Sequence, residues 1–301
     1  MSVYTPLSHS QLALVLDSYG YRLLDFRAAS HGIENSTFLI EAQDRHQQPA
    51  PLVLTIFETL DHDALAPYLV LLGHLAEQGL PVPAPLTDHH GQDQITVAGK
   101  PAVLMPRLPG EHDFAVDLDR CRQVGALLAR LHRCDTGALL ALPDERRRLE
   151  TLATQLNQLP YDHREGARAL LSDWQARPAG TTLIHGDLFR DNTLFDGDRL
   201  GGIIDFYNGC TGDLIFDLSI LVNDWCSNDD GRLDQPRYDA LLSAYLAERP
   251  MNADERRLWP SMLRMTALRY WLSRLLVVYV DPPAHSLTPK DPAQYRQLLG
   301  R

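Results

Sequence analysis

Three polar residues at the ends of short apolar runs set the chemistry open to this chain: Asp187, Asn192 and Asp205. They lie in residues 181–206, TTLIHGDLFRDNTLFDGDRLGGIIDF, which read as strand, loop, short strand, polar turn and strand. A carboxylate, then an amide on the same loop, then a second carboxylate after a hairpin is the set that phosphoryl transfer needs. One group must stand near the attacking hydroxyl, and hard oxygen donors must hold Mg²⁺ on a triphosphate. Asp187 is therefore the candidate catalytic base, with Asn192 and Asp205 as candidate metal ligands. Turn chemistry explains each residue singly, but not all three in this order. A metal-dependent hydrolase ligated by His185 and Asp187 lacks the His-x-His or His-x-x-x-His spacing such a cluster uses.

The elements that must position these residues follow from periodicity. Ser8 to Gln11 spells a capping box, and Leu12, Val15, Leu16 and Tyr19 continue an amphipathic helix that Gly20 ends. Strands are expected near 23–27, 37–41, 52–57 and 102–105, with a helix over about 63–78 stopped by Gly79. Between the first two strands stands Ser30-His31-Gly32-Ile33-Glu34-Asn35-Ser36, the layout of a loop that covers phosphates. Gly32, Asn35 and Ser36 are the candidate nucleotide contacts there, although an ordinary hairpin turn fits the same residues. Met105-Pro106-Arg107-Leu108-Pro109-Gly110 then loses all periodicity and reads as a linker. Backbone groups from Met105 onward are placed to meet an adenine ring. Beyond it the chain is mostly helical, with stripes over 121–132, 143–158, 163–176, 214–225, 238–247 and 254–279. A mixed-sheet lobe (1–110) followed by a helical lobe (111–301) carrying the catalytic loop is an α+β, bilobed, protein-kinase-like layout.

Composition narrows the class. Of 301 residues, 45% are hydrophobic and 22% charged, as in ordinary globular enzymes. A net charge of −11 argues against nucleic acid or an anionic membrane as partner. The four cysteines are too far apart for a Cys-x-x-Cys site and read as reduced thiols of a cytoplasmic protein. The N-terminus shows no signal-peptide pattern, and the longest apolar run, Leu272 to Val280, is broken by Ser273 and Arg274. Lys100 and Lys290 are the only lysines.

With these residues in view, the chain resembles the aminoglycoside phosphotransferase and choline kinase-like group, and within it the type II homoserine kinases. The segments that bear the resemblance are GIENSTFLI (32–40), VLTIFE (53–58), LARLH (128–132), HGDLFRDNTLFDGDRLGGIIDFYNG (185–209), NDWC (223–226) and ALRYWLSRL (267–275). Lys290-Asp291-Pro292 with Tyr295 is similar to the family's tail. The resemblance implies a bilobed kinase-like fold that uses ATP and Mg²⁺ to phosphorylate the side-chain hydroxyl of L-homoserine. It assigns Asp187 as base and Asn192 and Asp205 as metal ligands.

Two departures from the general kinase pattern stand out. Thr55 occupies the slot of the strand lysine, and the following helix offers Pro67-Tyr68 where that lysine's glutamate partner is usual. Losing both is coherent, since one buried charge without the other is costly. Asp205-Phe206-Tyr207 has tyrosine where glycine is usual, which argues against a flipping activation segment. Residues 205–231 contain six Asp and no Lys or Arg, so an acidic wall suits a substrate amine, with Asp224 its candidate partner. Capping and turn roles account for other members of that set. A substrate carboxylate needs an arginine. Arg264, Arg269 and Arg274 step round one helix by about 140° each, and Arg264 is the candidate taken here. Kinases for choline, an aminoglycoside or a sugar alcohol remain as alternatives, as does a nucleotide-binding pseudokinase that Thr55 would explain.

Overall fold

The computed structural model describes residues 4–29, 35–135, 142–145, 180–228, 231–279 and 292–299, with single positions at 150, 154, 168 and 172. Gly32 lies outside the described residues. So does most of what the helices expected over 143–158 and 163–176 would span. The chain forms two compact units, Met1–Pro109 and Gly110–Arg301.

In the first unit, α1 (His9–Asp17) begins at a closed capping box: Ser8 Oγ accepts from Gln11 N, and the Gln11 side chain accepts from Ser8 N. An antiparallel five-stranded sheet follows in the order β1-β2-β3-β5-β4. Its strands are β1 (Arg22–Ala28), β2 (Ser36–Gln43), β3 (Pro49–Ile56), β4 (Ile95–Val97) and β5 (Lys100–Pro106). Between β3 and β4 runs α2 (His62–Glu77), which Asp61 caps. Alternation along the strands sorts the side chains. Phe38, Ile40, Leu52, Leu54, Ile56, Ala102 and Leu104 join Leu12 and Leu16 of α1 in one buried core. Thr55, Val103 and Met105 therefore point from the other face, with Thr55 in register with Thr37 and Val103.

In the second unit, α3 (Leu118–Leu131) leads to β6 (Thr182–Ile184), β7 (Thr193–Asp196), β8 (Arg199–Ile203) and β9 (Cys210–Gly212). β6 pairs with β9 and β7 with β8, both antiparallel. Four helices close the unit: α4 (Leu214–Trp225), α5 (Gln235–Glu248), α6 (Ala253–Tyr279) and α7 (Pro292–Leu298). α3 packs on α5, and α6 packs on both α4 and α7. Gly110 opens the unit at φ +95, where a Cβ would come within 2.4 Å of the Phe195 backbone. That close approach lets Glu111 and Phe195 exchange both backbone hydrogen bonds at 3.0 Å. Among the described residues no helix is long and apolar enough to cross a membrane.

Candidate active site

The loop between β6 and β7 holds Asp187 in place through contacts on all sides. Asn192 ends a short 3₁₀ turn (Arg190–Asn192), and its Nδ2 donates to the Asp187 carbonyl at 2.8 Å. The amide oxygen is then the end of Asn192 that can meet a metal. Register does the rest. Thr193 pairs with Ile203, and Ile204 N donates to Asn192 O at 3.0 Å, so Asp205 follows directly on the residue bonded to Asn192. Asp205 is exposed and sits in the left-handed region, at φ 67 and ψ 53. Asp tolerates that conformation better than most residues, at a cost of about 1–2 kcal/mol, which is the kind of strain that gathers at functional sites. An amide oxygen and a carboxylate are hard donors, and they fit Mg²⁺ rather than a soft ion.

The Asp187 side chain meets α6. Tyr270 Oη lies 3.1 Å from Asp187 Oδ1 and 2.8 Å from the Gly186 carbonyl. Burial pushes the Asp187 carboxyl above the usual carboxylate range, against the pull of Arg269 and Tyr270. Arg269 is buried and pairs with Glu145 at 2.8 Å, so its charge is balanced before it reaches Asp187.

Beneath the loop lies a fully buried carboxylate. Asp217 of α4 accepts from His185 N at 2.8 Å, Gly186 N at 2.9 Å and His132 Nε2 at 3.1 Å. His132 Nδ1 is 2.7 Å from Tyr245 Oη, which accepts in turn from Arg249 Nη1 at 3.3 Å. Burial holds the His132 imidazole below its usual range although Asp217 pulls it up. Burial also works to raise the Asp217 carboxyl, and its hydrogen bonds outweigh that and hold it low. A neutral imidazole donating to an ionised carboxylate satisfies both shifts. The chain of donors thus runs one way, from Arg249 through Tyr245 and His132 to Asp217.

The residues expected from sequence fall unevenly. Asp187, Asn192 and Asp205 come together on adjoining pieces of one loop-and-hairpin unit. Asp224 accepts from Arg190 N at 2.8 Å, Nε at 3.2 Å and Nη2 at 3.3 Å, so any substrate ammonium would share it with Arg190. Arg264 is exposed, and no hydrogen bond or ion pair among the described residues ties it to the loop. The arginine of α6 that reaches this site is Arg269. In the first unit, Asn35 Oδ1 accepts from Glu58 N at 3.3 Å. Ser36 is fully buried on the α1 face; its hydroxyl accepts from Tyr4 N and Thr5 N, both at 2.9 Å, and donates to Glu58 at 2.6 Å. Glu58 also pairs with Lys100. The Ser36 hydroxyl is thus spent on fastening the N-terminal segment, which leaves only its backbone for a nucleotide. Met105 is buried within β5. Tyr270, Asp217, His132 and Arg190 went unassigned in the sequence, although LARLH, ALRYWLSRL and FRDN mark three of them.

A loop carrying a carboxylate, an amide and a second carboxylate flanking a hairpin, and an antiparallel-sheet unit (not the mixed sheet expected from sequence) followed by a helical one define a kinase-like phosphotransferase. The chain matches the phosphotransferase enzyme family over residues 25–251 and belongs to that family. It is 42% identical over 314 aligned residues to a homoserine kinase of Pseudomonas aeruginosa (strain LESB58), covering 100% of this chain and 96% of that protein. A homoserine kinase of Methylobacillus flagellatus is 38% identical, with 99% and 94% covered. Among solved structures, amicoumacin kinase hAmiN in complex with AMP-PNP, Ca²⁺ and Ami superposes with a TM-score of 0.69 at 15% identity, over 97% of this chain and 91% of that one. The fold is therefore kinase-like.

Proposed function

We propose that the protein transfers the γ-phosphoryl group of ATP to the side-chain hydroxyl of L-homoserine, giving O-phospho-L-homoserine for threonine biosynthesis. The observation behind this reading is the half-buried Asp187, whose backbone carbonyl accepts from Asn192 and whose carboxylate accepts from Tyr270, in a chain similar along its whole length to homoserine kinases. Asp187 takes the proton of the homoserine hydroxyl. The oxygen's electron pair forms the new O–P bond as the bond to the departing ADP oxygen breaks. Burial raises the basicity of Asp187, which suits it to that proton. Mg²⁺ supplies charge neutralisation on the phosphates, and the Asn192 amide oxygen and the Asp205 carboxylate are the groups that would hold it. Asn35, Gly32 and the backbone of Met105 are the nucleotide contacts assigned to the first unit, and Asp224 is assigned to the substrate ammonium. The work is that of a cytoplasmic biosynthetic enzyme.

The test is homoserine-dependent ADP release with and without EDTA, by the wild type and by Asp187→Asn. The variant keeps size and much of the hydrogen bonding but loses the base. We expect kcat to fall by roughly two to four orders of magnitude, with KM for ATP and homoserine little changed. A folded variant with wild-type kcat removes Asp187 from the mechanism, and full turnover in EDTA removes the metal. Turnover of another alcohol but not homoserine would leave the chemistry and overturn the substrate.

A further inference from the structure

Tyr295 of α7 is 1% exposed. Its ring has clear packing work: it meets Phe189 at 6.4 Å and Tyr270 at 5.6 Å between centroids, and the Arg274 guanidinium lies 4.3 Å over it. Phenylalanine would do all of that. The hydroxyl has no hydrogen-bond partner among the described residues. A buried polar atom left so is costly, and one beside a catalytic loop calls for a partner that arrives with the substrate. The charges around this hydroxyl are those of Asp224, Arg274, Asp187 and Arg190.

Arg190, three residues past Asp187 in the loop, has a similar spare capacity. It meets Asp224 through Nε and Nη2, and its Nη1 makes no hydrogen bond among the described residues. The pair is not sealed: the two side chains are 27% and 12% exposed. Two unspent donors, one of them cationic, thus lie close enough to feel each other's charge, and the Tyr295 hydroxyl feels that of Asp187 as well. Arg269 cannot fill this role because Glu145 holds it.

We infer that Arg190 Nη1 and the Tyr295 hydroxyl form a clamp for the α-carboxylate of an amino-acid substrate, replacing Arg264 in that role. The inference rests on the homoserine reading. The clamp reads the carboxylate and Asp224, still on Arg190, faces the ammonium, so a zwitterion enters a site whose own charges mirror it.

The experiment is steady-state kinetics of Tyr295→Phe and wild type on L-homoserine and on 3-amino-1-propanol, the same alcohol without the carboxylate, with melting temperatures alongside. Loss of one hydrogen bond to a charged group raises KM for homoserine by about 10-fold to 100-fold. KM for ATP, melting temperature and turnover of 3-amino-1-propanol stay at wild-type values. An unchanged KM for homoserine, or an equal loss on both alcohols, would sink the clamp and leave the homoserine reading standing. A wild type that uses both alcohols equally well does the same. A wild type inactive on homoserine but active on an alcohol without a carboxylate takes down both.

Discussion

An ionised carboxylate offers about four lone-pair sites, and Asp217 uses three of them on the groups that set the loop beneath Asp187. The consecutive amides of His185 and Gly186 point at it, so the backbone just before Asp187 is fixed by one side chain on a helix. Asp217→Asn keeps the volume but supplies only one acceptor oxygen. Its amide NH₂ then faces an N–H, and one buried donor goes unsatisfied at a cost of about 1–3 kcal/mol. The loop shifts to relieve this, and a displacement of about 1 Å at a reacting group costs roughly 100-fold in rate. We expect kcat to fall by about that factor with KM for ATP unchanged, read from the same ADP-release assay, and chemical denaturation to show the stability loss. Wild-type kcat in a destabilised variant would make Asp217 a structural residue alone.

At the scale of elements, the β7–β8 hairpin aligns the proposed metal ligands, and its first strand is tied through Phe195 to Glu111, the residue after Gly110. Two glycines there make different demands. At Gly110 a methyl would drive into the Phe195 backbone, whereas at Gly197, φ +58 in the turn, it would meet nothing within 4 Å. Gly197→Ala therefore costs only the left-handed strain, about 1–2 kcal/mol. Gly110→Ala adds overlap with backbone that cannot move aside, bringing its loss to about 2–5 kcal/mol. Urea unfolding of both variants checks the order, and equal losses would show that the Gly110–Phe195 approach relaxes freely. The hairpin was legible in the sequence because polar turn residues and apolar alternation mark it locally, and α4 matches its expected span, Leu214–Trp225. Packing between distant segments leaves no such local mark. Arg264 and Arg269 differ by five positions on one helix, and only the approach of Glu145 and the loop selects between them. The burial of Ser36 under the N-terminal segment was equally hidden, because Tyr4, Glu58 and Lys100 come from separate stretches.

Across the whole molecule, stability should fall on the acid side of neutrality. His132 and His185 are both buried, and burial holds both imidazoles below their ordinary value. His185 donates Nε2–H to the Ile204 carbonyl at 3.0 Å, as a neutral ring can. A base with a lower pKa folded than unfolded binds its proton more readily in the unfolded chain. The stability it contributes is complete above about pH 6.5 and is lost as pH falls toward the folded pKa. Asp217, also held low, keeps its contribution until pH drops below about 3.9, so it does not enter this window. Asp187, raised by burial, acts in the opposite sense and regains stability as it protonates. Two histidines give a slope of up to about 2.7 kcal/mol per pH unit as pH falls below about 6.5 toward their folded values, reduced where Asp187 takes up its proton. Urea unfolding at pH 8, 7, 6 and 5 measures it. His132→Gln keeps a donor for Asp217 but removes one titrating group, and its acid limb should be shallower by about 1.4 kcal/mol per pH unit. A wild type equally stable at pH 7 and pH 5 would mean that both rings are already charged in the folded protein, and the one-way chain of donors from Arg249 to Asp217 would have to be redrawn.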